Sequence, residues 1–146
     1  MVMPVPEPKS ETQGPRVENP KVMLAEWLDC LNRLVDEVKV WVEKTGWRTR
    51  LIQKSMSDEI LGPHKVPVLL MERDTVEVAL NPVSRFVPGA DGAVDLYLVP
   101  AYDDIASLYF ESGRWVIYDD LEAETEGLPL SEETINQALE SMTAHA

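Results

Sequence analysis

The chain has 146 residues but a single cysteine, Cys30, only two histidines and seven glycines. A lone cysteine closes no internal disulfide, so a secreted disulfide scaffold is excluded. Two histidines and one cysteine, spread from Cys30 to His145, give no zinc-ligand spacing. No run approaches the roughly 18 apolar residues of a membrane span. The start, Met1-Val2-Met3-Pro4-Val5-Pro6-Glu7-Pro8, has neither the basic region nor the apolar core of a secretory signal. A cytoplasmic address is the expectation.

Basic residues are missing from one half. Residues 1–85 carry 12 Lys/Arg against 13 Asp/Glu, whereas residues 86–146 carry only Arg114 against 13 acids. The net charge of −13 therefore resides almost wholly in the C-terminal portion. Such a field repels nucleic-acid phosphates and anionic membranes, and it favours solubility or a basic partner.

What is present suffices for one domain: 45% of residues are hydrophobic and 27% charged. Residues 1–18, with Pro4, Pro6, Pro8 and Pro15, read as a poorly ordered tail before a domain over 19–146. A proline-motif ligand there lacks the flanking basic residue that such docking sites usually use. Asn19 can cap a helix with Pro20 in its first turn. Leu24, Leu28, Leu31, Val35, Val38 and Val42 then repeat at helical spacing, widened by Trp27, Leu34 and Trp41, until Gly46. This predicts a long amphipathic helix of about 26 residues.

From Trp47 the period becomes two. Strands are expected over Trp47–Lys54, Val66–Glu72 and Thr75–Leu80, then around Val94–Leu98, Ala106–Phe110 and Arg114–Tyr118. Gly62-Pro63, Arg73-Asp74, Asn81-Pro82 and Pro88–Gly92 mark the connections. Their shortness implies antiparallel pairing. Residues 119–127 read as an acidic loop. Ser131 caps a short final helix, with Leu130 and Ile135 placed as a hydrophobic staple. The fold class is α+β: a helix on a five- or six-stranded antiparallel meander, closed by a second helix. In outline this resembles the small acidic chaperones of bacterial secretion systems. The likeness is architectural only, and their central helix between strands has no counterpart here.

The candidate chemistry is sparse. Tyr102-Asp103-Asp104 brings adjacent carboxylates that could bind a cation or share a proton, although aspartate is equally a turn residue. The acids from Asp119 to Glu126 lack the ligand pattern of a calcium loop. Cys30 beside the helix stripe reads as a small buried hydrophobe, and nothing orients His64 as its base. No nucleophile elbow or phosphate-cradling loop occurs; Gly89–Gly92 precedes a strand, not a helix. Arg48, Arg50 and Lys54 share one strand face and either dock an anion or pair with the protein's own acids. The four tryptophans are expected at the helix–sheet interface.

No cofactor, metal or catalytic group is implied. The favoured expectation is a non-enzymatic protein-interaction domain, an adaptor, chaperone-like binder or neutralising partner of a basic protein, with a homodimer through the helix stripe as one form. The alternatives are a small-ligand protein or enzyme with a pocket near Asp103 and Asp104, or an acidic mimic of nucleic acid.

Overall fold

In the computed structural model, residues 19–119 and 127–146 are described, Asp103 and Asp119 by their backbone. The expected tail over residues 1–18, and most of the acidic loop, lie outside that range. The element order is α1 (Pro20–Glu43), β1 (Arg48–Asp58), β2 (Gly62–Arg73), β3 (Val76–Ser84), β4 (Ala93–Val99), β5 (Asp103–Glu111), β6 (Arg114–Asp119), β7 (Leu128–Pro129) and α2 (Glu132–Ala144). The strands form one antiparallel sheet in sequence order. It is an α+β domain with seven strands, not five or six. The extra one is Leu128–Pro129, too short to leave an alternating pattern, which pairs with β6.

Helix α1 has 24 residues and ends earlier than anticipated, at Glu43. The Asn19 side chain accepts a hydrogen bond from the Lys21 N–H, and Pro20 opens the helix. Beyond its C-terminus Gly46 takes φ +94°, a conformation costly for any residue with a Cβ. The Thr49 hydroxyl donates to Glu43 Oε2 at 2.6 Å, tying the helix end to β1. The buried face runs through Met23, Trp27, Leu31, Leu34, Val35, Val38 and Val42. Leu24, Leu28 and Trp41, placed on the stripe by spacing, are only partly buried. The helix is thus rotated toward Trp27 and Leu34, which leaves Leu24, Leu28 and Trp41 at the margin of the buried face.

Cross-strand partners share a face, so the register sorts the side chains. Leu51, Leu69, Leu80, Leu96 and Ala106 form one rung, and Val94, Leu108, Ile117 and Leu128 another. Except for Leu51 and Leu128 at the margins, these residues form one core with α1 and with Ile135, Ala138, Leu139 and Met142 of α2. Helix α2 is held by a capping box in which the Ser131 hydroxyl accepts from the Thr134 N–H while Thr134 Oγ1 accepts from the Ser131 N–H. Both helices lie against this one face.

Several punctuation signals sit inside strands. Gly62-Pro63 begins β2, where edge strand β1 extends to Asp58 to pair with it. Asn81-Pro82 lies within β3, and a register shift between Pro82 and Ser84 absorbs the irregularity. A proline cannot donate to a ladder, and a bulge is where a sheet tolerates one. Asp74 makes the β2–β3 turn at φ +56°.

Candidate functional site

Two surfaces stand out, one on each layer. The first is a groove of about 470 Å³ between α1 and the β5–β6 hairpin. Its floor is Leu34, Phe110, Trp115 and Leu130; Glu26, Asp29 and Glu37 rise along the helix side, and Arg114 lines the hairpin side. Helical spacing puts these acids at the groove while Trp27, Leu31 and Leu34 point down into the core. Arg33 on the same rim is held by Asp29 at 3.0 Å, which leaves Glu26 and Glu37 facing solvent without a salt-bridge partner among the described residues. Trp115 packs at a tilt against Phe110, at 5.0 Å between ring centroids, and Trp27, at 6.5 Å.

Cys30 lies in the same groove, half-buried. Burial pushes its thiol up to about 11, against the opposing pull of the Arg33 charge. A thiol so shifted is protonated at neutral pH and is a poor nucleophile. His64 is remote, near the start of β2, where its Nδ1 lies 2.8 Å from the Gly62 carbonyl oxygen. No Cys–His pair forms.

The second surface is the sheet face that neither helix covers. Its rungs are Arg48–Glu72–Glu77–Val99, then Arg50–Leu70–Ala79–Tyr97, then Asn81–Asp95–Ser107–Tyr118, then Ala93–Tyr109–Val116–Pro129. All four tyrosines of the chain reach it. Tyr102 comes from the β4–β5 turn at φ +56° and packs edge-on against Tyr97 at 4.5 Å. Its hydroxyl donates to Asp95 Oδ2 at 2.6 Å, and the phenol is raised to about 12 by that bond and the carboxylate charge. Lys54 Nζ donates to Asn81 Oδ1 and to the Pro82 carbonyl, and Asn81 Nδ2 donates to the Tyr97 hydroxyl at 2.9 Å. Desolvation lowers the Lys54 pKa, with Asp95 opposing. Ile52, Val68, Leu70, Ala79 and Val99 surround this network in a shallow hollow of about 480 Å³.

The residues singled out from sequence therefore separate. Lys54 and Tyr102 line one hollow. Arg48 is paired with Glu72 at 3.1 Å and Arg50 with Glu77 at 3.9 Å. Both carboxylates belong to the near-neutral half of the chain, not to the acidic one, because register, not net charge, decides which acid faces an arginine. Asp103 and Asp104 open β5, and Asp104 takes φ +51°. They sit at the end of the sheet near Arg73, since Leu98 pairs with Asp103 and Val99 with Glu77, whereas His64 is at the opposite end beside Met56. Six or more strand residues separate them, about 20 Å along the sheet. Asp103 and His64 are therefore too far apart to share one pocket.

Sequence reasoning missed the tyrosine face and the Trp115 groove. Tyr97, Tyr109 and Tyr118 were each legible as the alternate positions of Leu96, Leu108 and Ile117; only the register shows them together. Trp27 and Trp47 are core, at 3% and 2% exposure, while Trp41 and Trp115 are partly open. The buried Trp47 Nε1 has no hydrogen-bond partner among the described residues, and Arg73 covers its ring at 4.6 Å. Among the described residues no group of three or more His, Cys, Asp and Glu side chains converges to hold a metal ion, and no helix is long and apolar enough to cross a membrane. Searches against family models, curated proteins and solved structures found no match to this chain.

Proposed function

We propose that this is a non-enzymatic, cytoplasmic protein-interaction domain that holds a basic, amphipathic segment of a partner protein in the groove between α1 and the β5–β6 hairpin. The observation that carries the reading is the groove itself: an aromatic floor at Trp115 and Phe110 beneath the carboxylates of Glu26, Asp29 and Glu37. Apolar side chains of the guest desolvate against the floor while lysines or arginines meet the rim. A guest of that kind also matches the net charge of −13, which accelerates encounter with a basic partner and disfavours nucleic acid.

The chemistry around the groove supports binding over catalysis. Its thiol, Cys30 Sγ, is pushed up to about 11 by burial, and the neighbouring Asp29 charge disfavours the thiolate further. The groove's volume suits a few side chains of a peptide and is ordinary for a ligand site.

The test is comparative affinity capture with the full chain as bait. The wild type retains basic proteins that are released at high salt, and Glu26→Lys/Glu37→Lys and Leu130→Glu baits each lose them. Retention of the same proteins by both altered baits would remove the groove from the account.

A further inference from the structure

The open sheet face carries a second inference, independent of the groove. We propose that this face is the interface of a homodimer in which two copies pack sheet to sheet about a two-fold axis running along the strands. Three properties point to a second copy rather than to solvent. The first is composition: Ile52, Leu70, Val99 and all four tyrosines occupy one face, and tyrosine is enriched and lysine depleted where proteins meet. Tyr102 is 52% exposed and Ile52 38%, on a chain whose helix layer already contains the core.

The second is area. From β1 to β6 the face spans about 25 Å, and from Arg48 to Lys54 about 20 Å. Two such surfaces bury on the order of 1,000 Å², the least expected of a specific interface.

The third is charge, which also fixes the symmetry. A two-fold axis between identical faces must lie in their common plane, and the two natural choices run along the strands or across them. An axis across the strands stacks β4–β5 on their own copies, bringing Asp95 and Glu111 toward like charges. An axis along the strands through the middle of the face seats β1–β3 of each copy over β4–β6 of the other, with the Arg50 and Lys54 head groups reaching over β3. Arg50 and Lys54 then face Asp95 and the Tyr97 and Tyr102 rings. That pairing uses cation–carboxylate and cation–π attraction in place of repulsion. It also keeps the strands of the two sheets aligned, as in ordinary sheet-on-sheet packing about 10 Å apart.

The dimer expected from the sequence shared the α1 stripe, and that stripe is buried at Trp27, Leu31, Leu34, Val38 and Val42. The face proposed here is on the other side of the sheet. Partner capture in the groove and self-association on the open face are consequently separable: the groove variants leave the dimer intact, and the face variants leave the groove intact.

Sedimentation equilibrium of the full chain over about 1–100 μM decides the matter, with circular dichroism confirming that each variant is folded. The wild type sediments as a dimer. Leu70→Glu, at the centre of the hollow, and Ile52→Glu, at its exposed margin and so safe for folding, both sediment as monomers. Arg50→Glu weakens association about tenfold or more by placing like charges together. Val40→Glu, on the outer side of α1, leaves it unchanged. A monomeric wild type throughout, or a dimer indifferent to Ile52→Glu and Arg50→Glu but broken by Val40→Glu, overturns the proposal.

Discussion

Trp27 and Gly92 meet so closely that a Cβ placed on Gly92 would lie 2.4 Å from the indole ring. The glycine has no positive φ to explain it, so its role is clearance: it lets the connection before β4 cross the face of the helix that also builds the groove. The Asp91 N–H donates to the Phe110 carbonyl, and the Phe110 N–H donates to the Gly92 carbonyl at 2.9 Å, locking the same connection to β5. Gly92→Ala consequently drives a methyl into an aromatic ring that cannot retreat from the core. Overpacking of this kind costs about 1–3 kcal/mol, measurable as a lower midpoint in chemical denaturation.

At the other end of the chain, Ser131 is both acceptor and backbone donor in the box with Thr134. Ser131→Ala removes the acceptor for the Thr134 N–H and lowers stability by about 1 kcal/mol. Ser131→Asp, which keeps an acceptor and adds favourable charge at the helix N-terminus, restores it.

Cys30 gives a pH signature. Its pKa is raised from 9.0 to about 11, so the protonated thiol is favoured by the fold. That contribution is fully present below pH 9 and is lost as pH rises through about 11. The wild type therefore loses stability relative to Cys30→Ala over that alkaline window. At pH 8 its alkylation by iodoacetamide is about a hundredfold slower than for an unperturbed thiol, the ratio set by a shift of two pH units.

The surface ion pairs behave differently. Arg48–Glu72 joins side chains that are 69% and 54% exposed, so water screens it heavily. Glu72→Gln shifts the unfolding free energy by less than about 0.5 kcal/mol. Lys54→Met, in contrast, strands the Asn81 amide oxygen and the Pro82 carbonyl in a half-buried hollow, and costs on the order of 1 kcal/mol.

These contrasts mark what the sequence made legible. Asn19, Pro20 and the apolar repeat located α1, because caps and a 3.6-residue period are local properties. Period-two runs located β1 to β6, but pairing is not local: Leu128–Pro129 joins the sheet only because β6 lies beside it. Pro82 looked like a break and proved to be a bulge, which a neighbouring strand determines. The site was less legible still. Arg50 finds Glu77, Tyr102 finds Asp95 and Trp115 finds Phe110 through register and a turn at positive φ. Only the last, across the short hairpin at Ser112-Gly113, is written in spacing along the chain.

The proposed function requires the Trp115 groove to take a basic amphipathic segment, and tryptophan fluorescence reads that groove directly. The measurement is a titration of the full chain with a synthetic lysine–leucine helical peptide, against a glutamate–leucine peptide of the same length. Binding of the basic peptide shifts the emission to shorter wavelength as water leaves Trp115, and the shift is lost in Trp115→Phe. Affinity falls about tenfold or more in Glu26→Lys/Glu37→Lys. Equal responses to both peptides, or a basic-peptide shift that survives Trp115→Phe and the charge reversal unchanged, would contradict the account.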